Sequence, residues 1–125
     1  MAITGTVVAG GREAIIPIAT VGPHGRSAGI EAVIDTGFTG HLTLPSDLAR
    51  SLDLPLLGTR YVTLANGATA TLDVYRATVL WEGEERPVRA FAAEGAPLVG
   101  MALLHGSEVR LRVVEGGSVV IEPLS

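Results

Sequence analysis

One carboxylate in this chain stands at the end of an apolar run. Ala32-Val33-Ile34 leads directly into Asp35, and Thr36-Gly37 turns the chain at once. An ionised Asp at the end of a buried strand is costly unless it is hydrogen-bonded or shares a proton. Either the local backbone satisfies Asp35 in a plain turn, or the carboxylate is kept because it is used. The neighbouring residue types suit the activation of water. Hydrolysis without a metal or covalent nucleophile needs one carboxylate to activate water while a second protonates the carbonyl or the leaving amine. Two carboxyls held close together share one proton, so one is base and the other acid. Thr36 can donate a hydroxyl hydrogen bond that fixes geometry without adding charge. Gly37 has no Cβ and lets another backbone approach closely.

Other candidate chemistry fares worse. Gly25-Arg26-Ser27-Ala28-Gly29 matches G-x-S-x-G, but a nucleophile elbow needs a strand before it, a helix after it and a larger α/β sheet around it. Here a β-type run follows Ser27. His24, His41 and His105 share no ligand spacing with one another or with a carboxylate, so neither a metal nor any cofactor is expected. The absence of cysteine excludes disulfides, thiolate nucleophiles and Cys-ligated zinc. Net charge is −4, and all nine basic residues are Arg, without a basic run or stripe. Nucleic acid is therefore not an expected partner.

The elements that must position Asp35 read as short strands with turn residues between them. Aromatic residues make up only 4% of the chain, so Val, Leu, Ile and Ala have to build the core. The sixteen Gly and seven Pro favour many turns over long helices. Strands are expected at Ile3 to Val8, Glu13 to Val21, Ser27 to Ile34 and Leu42 to Leu44. Pro45 to Leu52 reads as a helix capped by Ser46 or Asp47, with Leu48 and Leu52 on one face. Tyr61 to Leu64 and Thr69 to Leu80 flank Ala65-Asn66-Gly67-Ala68. Asn-Gly between strand-like runs signals a hairpin, and a type I′ turn is expected there. Further strands are expected at Arg86 to Ala93, Leu98-Val99, Val109 to Val114 and Ser118 to Ile121, with a helical turn at Met101 to His105. Residues 1–125 read as one all-β domain. The N-terminus has no signal-peptide pattern and no apolar run is long enough for a membrane span, so a cytoplasmic protein with no membrane partner is expected.

With Val33-Ile34 before Asp-Thr-Gly, the Asn66-Gly67 hairpin downstream, and Pro97-Leu98-Val99-Gly100-Met101-Ala102-Leu103-Leu104 beyond it, the chain resembles the retropepsin-like aspartic proteases. These are the single-domain clan AA enzymes of retroviruses and bacteria, and the resemblance runs from about Glu13 to Ile121. It implies a closed, barrel-like β domain with one or two short helices and a flap hairpin. It also implies that Asp35 is catalytic, that Thr36 hydrogen-bonds across a dimer beneath the site, and that the Gly37 carbonyl faces substrate. Ala65, Asn66 and Gly67 take the place of the flap tip. Leu98, Val99 and Gly100 take that of the second loop, and Val99, Gly100 and Phe38 adjoin the cleft.

Asp47, Asp53 and Asp73 are not followed by Ser/Thr-Gly, so one chain cannot supply two such carboxylates. A two-fold homodimer can. The β-rich termini are expected to add interface strands, since unpaired edges would otherwise be exposed. The implied activity is endopeptidase cleavage of a peptide or protein. The alternative is a non-catalytic peptide-binding or regulatory module on the same dimeric fold. Retroviral members carry Ala and then a carboxylate after Asp-Thr-Gly, and an Arg after the second-loop Gly. Here Phe38, Thr39 and Met101 stand at those positions. In those members the carboxylate and the Arg form an ion pair; here both partners are lost together, which avoids an orphan charge, and Phe38 adds bulk beside the cleft.

Overall fold

Alternating burial along the strands sets the architecture. In β2 (Glu13–Val21) the side chains of Ile16, Ile18 and Thr20 point inward while Pro17 faces out. This is the period of a sheet with one face on the core. The computed structural model describes residues 2–125. In chain order the remaining strands are β1 (Ile3–Val8), β3 (Ser27–Ile34), β4 (Leu42–Leu44), β5 (Leu56–Thr63), β6 (Thr69–Trp81), β7 (Glu84–Ala92), β8 (Leu98–Val99), β9 (Ser107–Leu111) and β10 (Ser118–Pro123). Two short helices interrupt them, α1 (Ser46–Ser51) and α2 (Met101–Leu104). No helix among the described residues is long and apolar enough to cross a membrane.

The strands form a ten-stranded sheet in the order β5-β6-β7-β4-β8-β3-β2-β1-β10-β9. A further antiparallel pairing, Ala19 to Val21 of β2 with Thr78 to Leu80 of β6, joins two strands far apart in that order. It curls the sheet around a core that includes Ile16, Leu42, Leu44, Val79, Trp81, Val99 and Leu103. Full burial of each such side chain contributes about 1.5–3 kcal/mol. Strand β4 lies at the centre of this arrangement. All three of its residues are buried, and it pairs parallel with β7 and antiparallel with β8.

Several expectations are corrected. Neither Ser46 nor Asp47 caps α1: Pro45 is the N-cap residue, without a side-chain hydrogen bond, and Ser46 already lies in the first turn. The extended Pro45 leaves no space for a capping residue between it and the helix, and Asp47 instead pairs with Arg50. Strand β5 begins at Leu56 rather than Tyr61, with a register shift between Leu56 and Gly58. Strand β9 ends at Leu111, short of Val113 and Val114, which remain exposed. The terminal strands are not free edges. β1 pairs with both β2 and β10, and β10 pairs with β1 and β9, so each is already hydrogen-bonded on two sides. The outer edges of the sheet are β5 and β9.

The Asn66-Gly67 turn is not type I′. Gly67 has φ 84°, whereas Asn66 is not among the residues with positive φ. The Gly67 N–H donates to Leu64 O at 2.9 Å, the Leu64 N–H donates to Ala68 O at 2.7 Å, and Asn66 Oδ1 accepts the Ala68 N–H at 3.0 Å. This is a three-residue hairpin loop in which glycine supplies the left-handed position after a β-turn.

Candidate active site

Asp35 lies one residue past β3, at the point where strand pairing stops. The last pairs are Val33 with Leu98 and Ile34 with Val99, parallel, and the Asp35 N–H donates to Val99 O at 2.9 Å. Strand β8 is thus inserted between β3 and β4, the two strands that the Asp35 loop connects. The Phe38 N–H donates back to Asp35 O at 3.1 Å and closes the turn. The Gly37 N–H donates to Asp35 Oδ1 at 2.9 Å. Backbone therefore satisfies one carboxylate oxygen, and no other hydrogen bond reaches the half-buried group among the described residues. Thr36 and Gly37 are exposed, and among the described residues the Thr36 hydroxyl makes no hydrogen bond.

The loop is laced to the start of α2 by main chain. The Gly100 N–H donates to His41 O at 3.0 Å, Met101 N–H to Phe38 O at 2.9 Å, and Ala102 N–H to Gly40 O at 3.1 Å. Such close approach needs small residues on both sides. A Cβ on Gly100 would lie 2.3 Å from Gly40 O, and one on Gly40 would lie 2.7 Å from Phe38 Cζ. The bulk of Phe38 is taken up in the space these two glycines leave. Its ring also meets Phe91 of β7, with centroids 5.9 Å apart at 58°, a tilted aromatic pair. Main-chain hydrogen bonds thus join the two loops, and the aromatic contact ties the Asp35 loop to β7.

Of the sequence-derived site residues, Asp35, Thr36, Gly37, Phe38, Val99 and Gly100 come together in these two loops. Ala65, Asn66 and Gly67 form the tip of a separate hairpin whose hydrogen bonds at the tip are internal. That hairpin stands away from the body. Nearly all of β5 is exposed, Tyr61 at 84%, and β6 becomes buried only from Val74 inward. At Gly67 a side chain would touch nothing, but φ is 84°. Gly67→Val should therefore add about 1–2 kcal/mol of strain confined to the tip. The open tip sheds this strain by fraying locally, so Tm changes little, whereas a closed complex must carry it, which is about a tenfold fall in kcat/KM. Unchanged kcat/KM would make the hairpin structural only.

Sequence reasoning missed two supports. Thr43, buried in the middle of β4, accepts the Leu98 N–H on Oγ1 at 2.9 Å and holds β8 in place. Its signal was a hydroxyl inside the apolar triplet Leu42-Thr43-Leu44. Phe91 gave none, since its partner Phe38 is remote in sequence. The histidines carry no common site: among the described residues no three His, Asp or Glu side chains gather into a cluster. His41 has its pKa lowered from the ordinary histidine value, first by burial and then by the charges of Arg89 and Arg86.

The fold as a whole has a counterpart among solved structures. Over 100% of this chain and 94% of the other, the structure is similar to a retropepsin-like aspartic protease from Rickettsia conorii, with TM-score 0.60 and 15% identity. The fold is retropepsin-like. Simian Foamy Virus (mac) protease is also similar, with TM-score 0.49 and 18% identity over 70% of this chain and 90% of that one. No protein-family model matches the sequence, and no curated protein matches it. The retropepsin-like fold of this chain ends in a β9–β10 hairpin that extends the sheet beyond β1.

Proposed function

We propose that the protein is a homodimeric aspartic endopeptidase that hydrolyses peptide bonds with a water held between two Asp35 carboxylates, one from each protomer. The setting of Asp35 carries this reading: the turn fixes one carboxylate oxygen on the Gly37 N–H and leaves the remainder of the group free. Residues 1–125, taken as a single domain, hold one Asp-Thr-Gly, so the second carboxyl comes from a second copy across a two-fold axis. One Asp35 takes a proton from water as the oxygen attacks the carbonyl carbon. The protonated partner gives its proton to the carbonyl oxygen. The carboxyl that took the water proton then gives it to the amine nitrogen, its partner takes a proton back from the tetrahedral diol, and the C–N bond breaks. Thr36 hydrogen-bonds across the dimer beneath the site, the Gly37 carbonyl accepts a peptide N–H, and the Ala65-Asn66-Gly67 tip covers the extended peptide. Phe38, Val99 and Gly100 shape the floor of the cleft. The fold shared with the Rickettsia protease supports the reading.

A pH series with sedimentation alongside tests it. Two facing carboxylates cannot both ionise easily, and the chemistry needs one proton on the pair. Cleavage of an unfolded protein should be bell-shaped in pH, with an acidic to near-neutral optimum. It should fade toward alkaline pH as the last proton leaves, and charge repulsion should loosen the dimer there. A peptide-binding module needs no shared proton and no turnover. A flat profile with the dimer intact, or a strictly monomeric protein that still cleaves, would overturn the dyad.

A further inference from the structure

Beside the base of the projecting hairpin lies a cavity of about 470 Å³ whose walls include His41, Gly58, Arg60, Val74, Arg76 and Arg89. Three of the nine arginines of the chain line it, and no Asp or Glu does, although net charge is −4. Arg76 and Arg89 are direct cross-strand partners on β6 and β7. Like charges placed opposite each other destabilise a sheet. Among the described residues, neither of them nor Arg60 forms an ion pair, whereas Arg26, Arg50 and Arg110 each have an acidic partner. Asp73 is no counterion for this face. It lies next to Val74 along β6, so its side chain points to the opposite side from Val74 and Arg76. The lowered pKa of His41 registers the same field, since Arg89 contributes to it after burial.

The cavity adjoins the Asp35 loops. His41 lines it while its carbonyl accepts the Gly100 N–H. Val74 is the cross-strand partner of Phe91, which packs on Phe38. Leu57 to Arg60 belong to the strand that carries the hairpin. We infer that this cavity is a specificity subsite for a carboxylate of the bound peptide, an Asp or Glu side chain or a free C-terminus, held by Arg76 and Arg89. Guanidinium groups match a carboxylate in planar, paired hydrogen bonds. The anion also relieves the Arg76–Arg89 repulsion, so the cost of the unpaired arrangement is removed on binding. This subsite rests on the endopeptidase reading of Asp35.

The test uses octapeptides of Ala and Leu, acetylated at the N-terminus, with either one Glu or one Gln at each position and with either a free or an amidated C-terminus. The wild type should cleave the best Glu peptide with about tenfold higher kcat/KM than its Gln counterpart. If the free C-terminus is the group recognised, that advantage moves to the non-amidated series. Arg76→Gln/Arg89→Gln should abolish the advantage and leave Gln, amidated peptides cleaved as before; the loss of like-charge repulsion means it should fold at least as well. Equal kcat/KM across all series, or an acid preference surviving the double substitution, overturns the subsite. If no peptide is cleaved, the endopeptidase reading fails, and the subsite is judged by binding. NMR titration of His41 in Asp35→Asn protein should then show its midpoint raised by the Glu or free-acid peptide and unmoved by the Gln, amidated one. No shift with either overturns the subsite separately.

Discussion

Asp35→Asn should abolish peptide hydrolysis and leave a folded dimer. Asparagine keeps Oδ1, so it can still accept the Gly37 N–H that Asp35 Oδ1 accepts at 2.9 Å. The Phe38 N–H to Asp35 O bond and the Asp35 N–H to Val99 O bond involve main chain only, so the turn should keep its shape. What is lost is the titratable proton. General acid–base groups contribute about 10²–10⁴-fold each, and the substitution removes both roles at once because each protomer loses its carboxyl. A loss of at least about a thousandfold in kcat is therefore expected, with Tm close to that of the wild type. Mixed dimers add a sharper reading. Variant added in excess to wild type should suppress activity beyond dilution, because each wild-type chain then meets an asparagine partner. Activity that merely dilutes would mean each chain works alone, and near-normal turnover by the pure variant would remove Asp35 from the chemistry.

The strands before the candidate site were legible because their burial alternates and because Gly or Pro punctuates them. Ile3–Val8, Glu13–Val21 and Ser27–Ile34 stand where the sequence placed them, and so does Leu42–Leu44 after the site, a wholly buried strand read from its bounding turn residues. The first half of β5 was not legible, since Leu56 to Tyr61 is exposed throughout and shows no alternation to read. It is a strand because the longer β6 pairs with it. Asn66-Gly67 marked the hairpin but not its turn, because a Gly in the left-handed position serves either loop. The sheet order is written in no local pattern, so the internal place of β1 and β10 became visible only in the pairing.

The candidate site divides in the same way. The turn Asp35-Thr36-Gly37 is local, and residue types announce it. Its supports are remote. The Thr43 hydroxyl meets an N–H 55 residues away, and Phe38 meets Phe91 across the sheet. Arg76 and Arg89 read as scattered surface charges in the sequence, and only their shared register makes them neighbours. Phe38 looked like an intrusion beside the cleft, and its ring turned out to fill the gap left by two glycines.

Those glycines set the second large effect. Gly100→Ala should unfold the junction of the two loops and remove activity with it. Gly100 has φ −102° and ψ 179°, extended backbone that alanine adopts freely, so the glycine is needed for space rather than for conformation. An added Cβ would lie 2.3 Å from Gly40 O, 2.6 Å from Phe38 Cδ2 and 2.7 Å from Phe38 O. Two of the three atoms are main-chain oxygens that accept hydrogen bonds from Ala102 and Met101, so the methyl cannot enter without parting the Asp35 loop from α2. Leu103 and Leu104 are buried just behind and hold α2 in place, which leaves the loop to move. Overpacking costs about 1–3 kcal/mol, and the strained hydrogen bonds add to it. A fall in Tm of roughly 10 °C is expected for a chain of this size. Gly29→Ala, where a Cβ would meet nothing and φ is not left-handed, should leave Tm unchanged or slightly raised and serves as the control. Removing the ring in Phe38→Ala/Gly100→Ala should not restore stability, because the oxygens remain. Full rescue would assign the clash to the ring alone. A Gly100→Ala protein with unaltered Tm and activity would mean that the two loops do not approach as closely as their hydrogen bonds require.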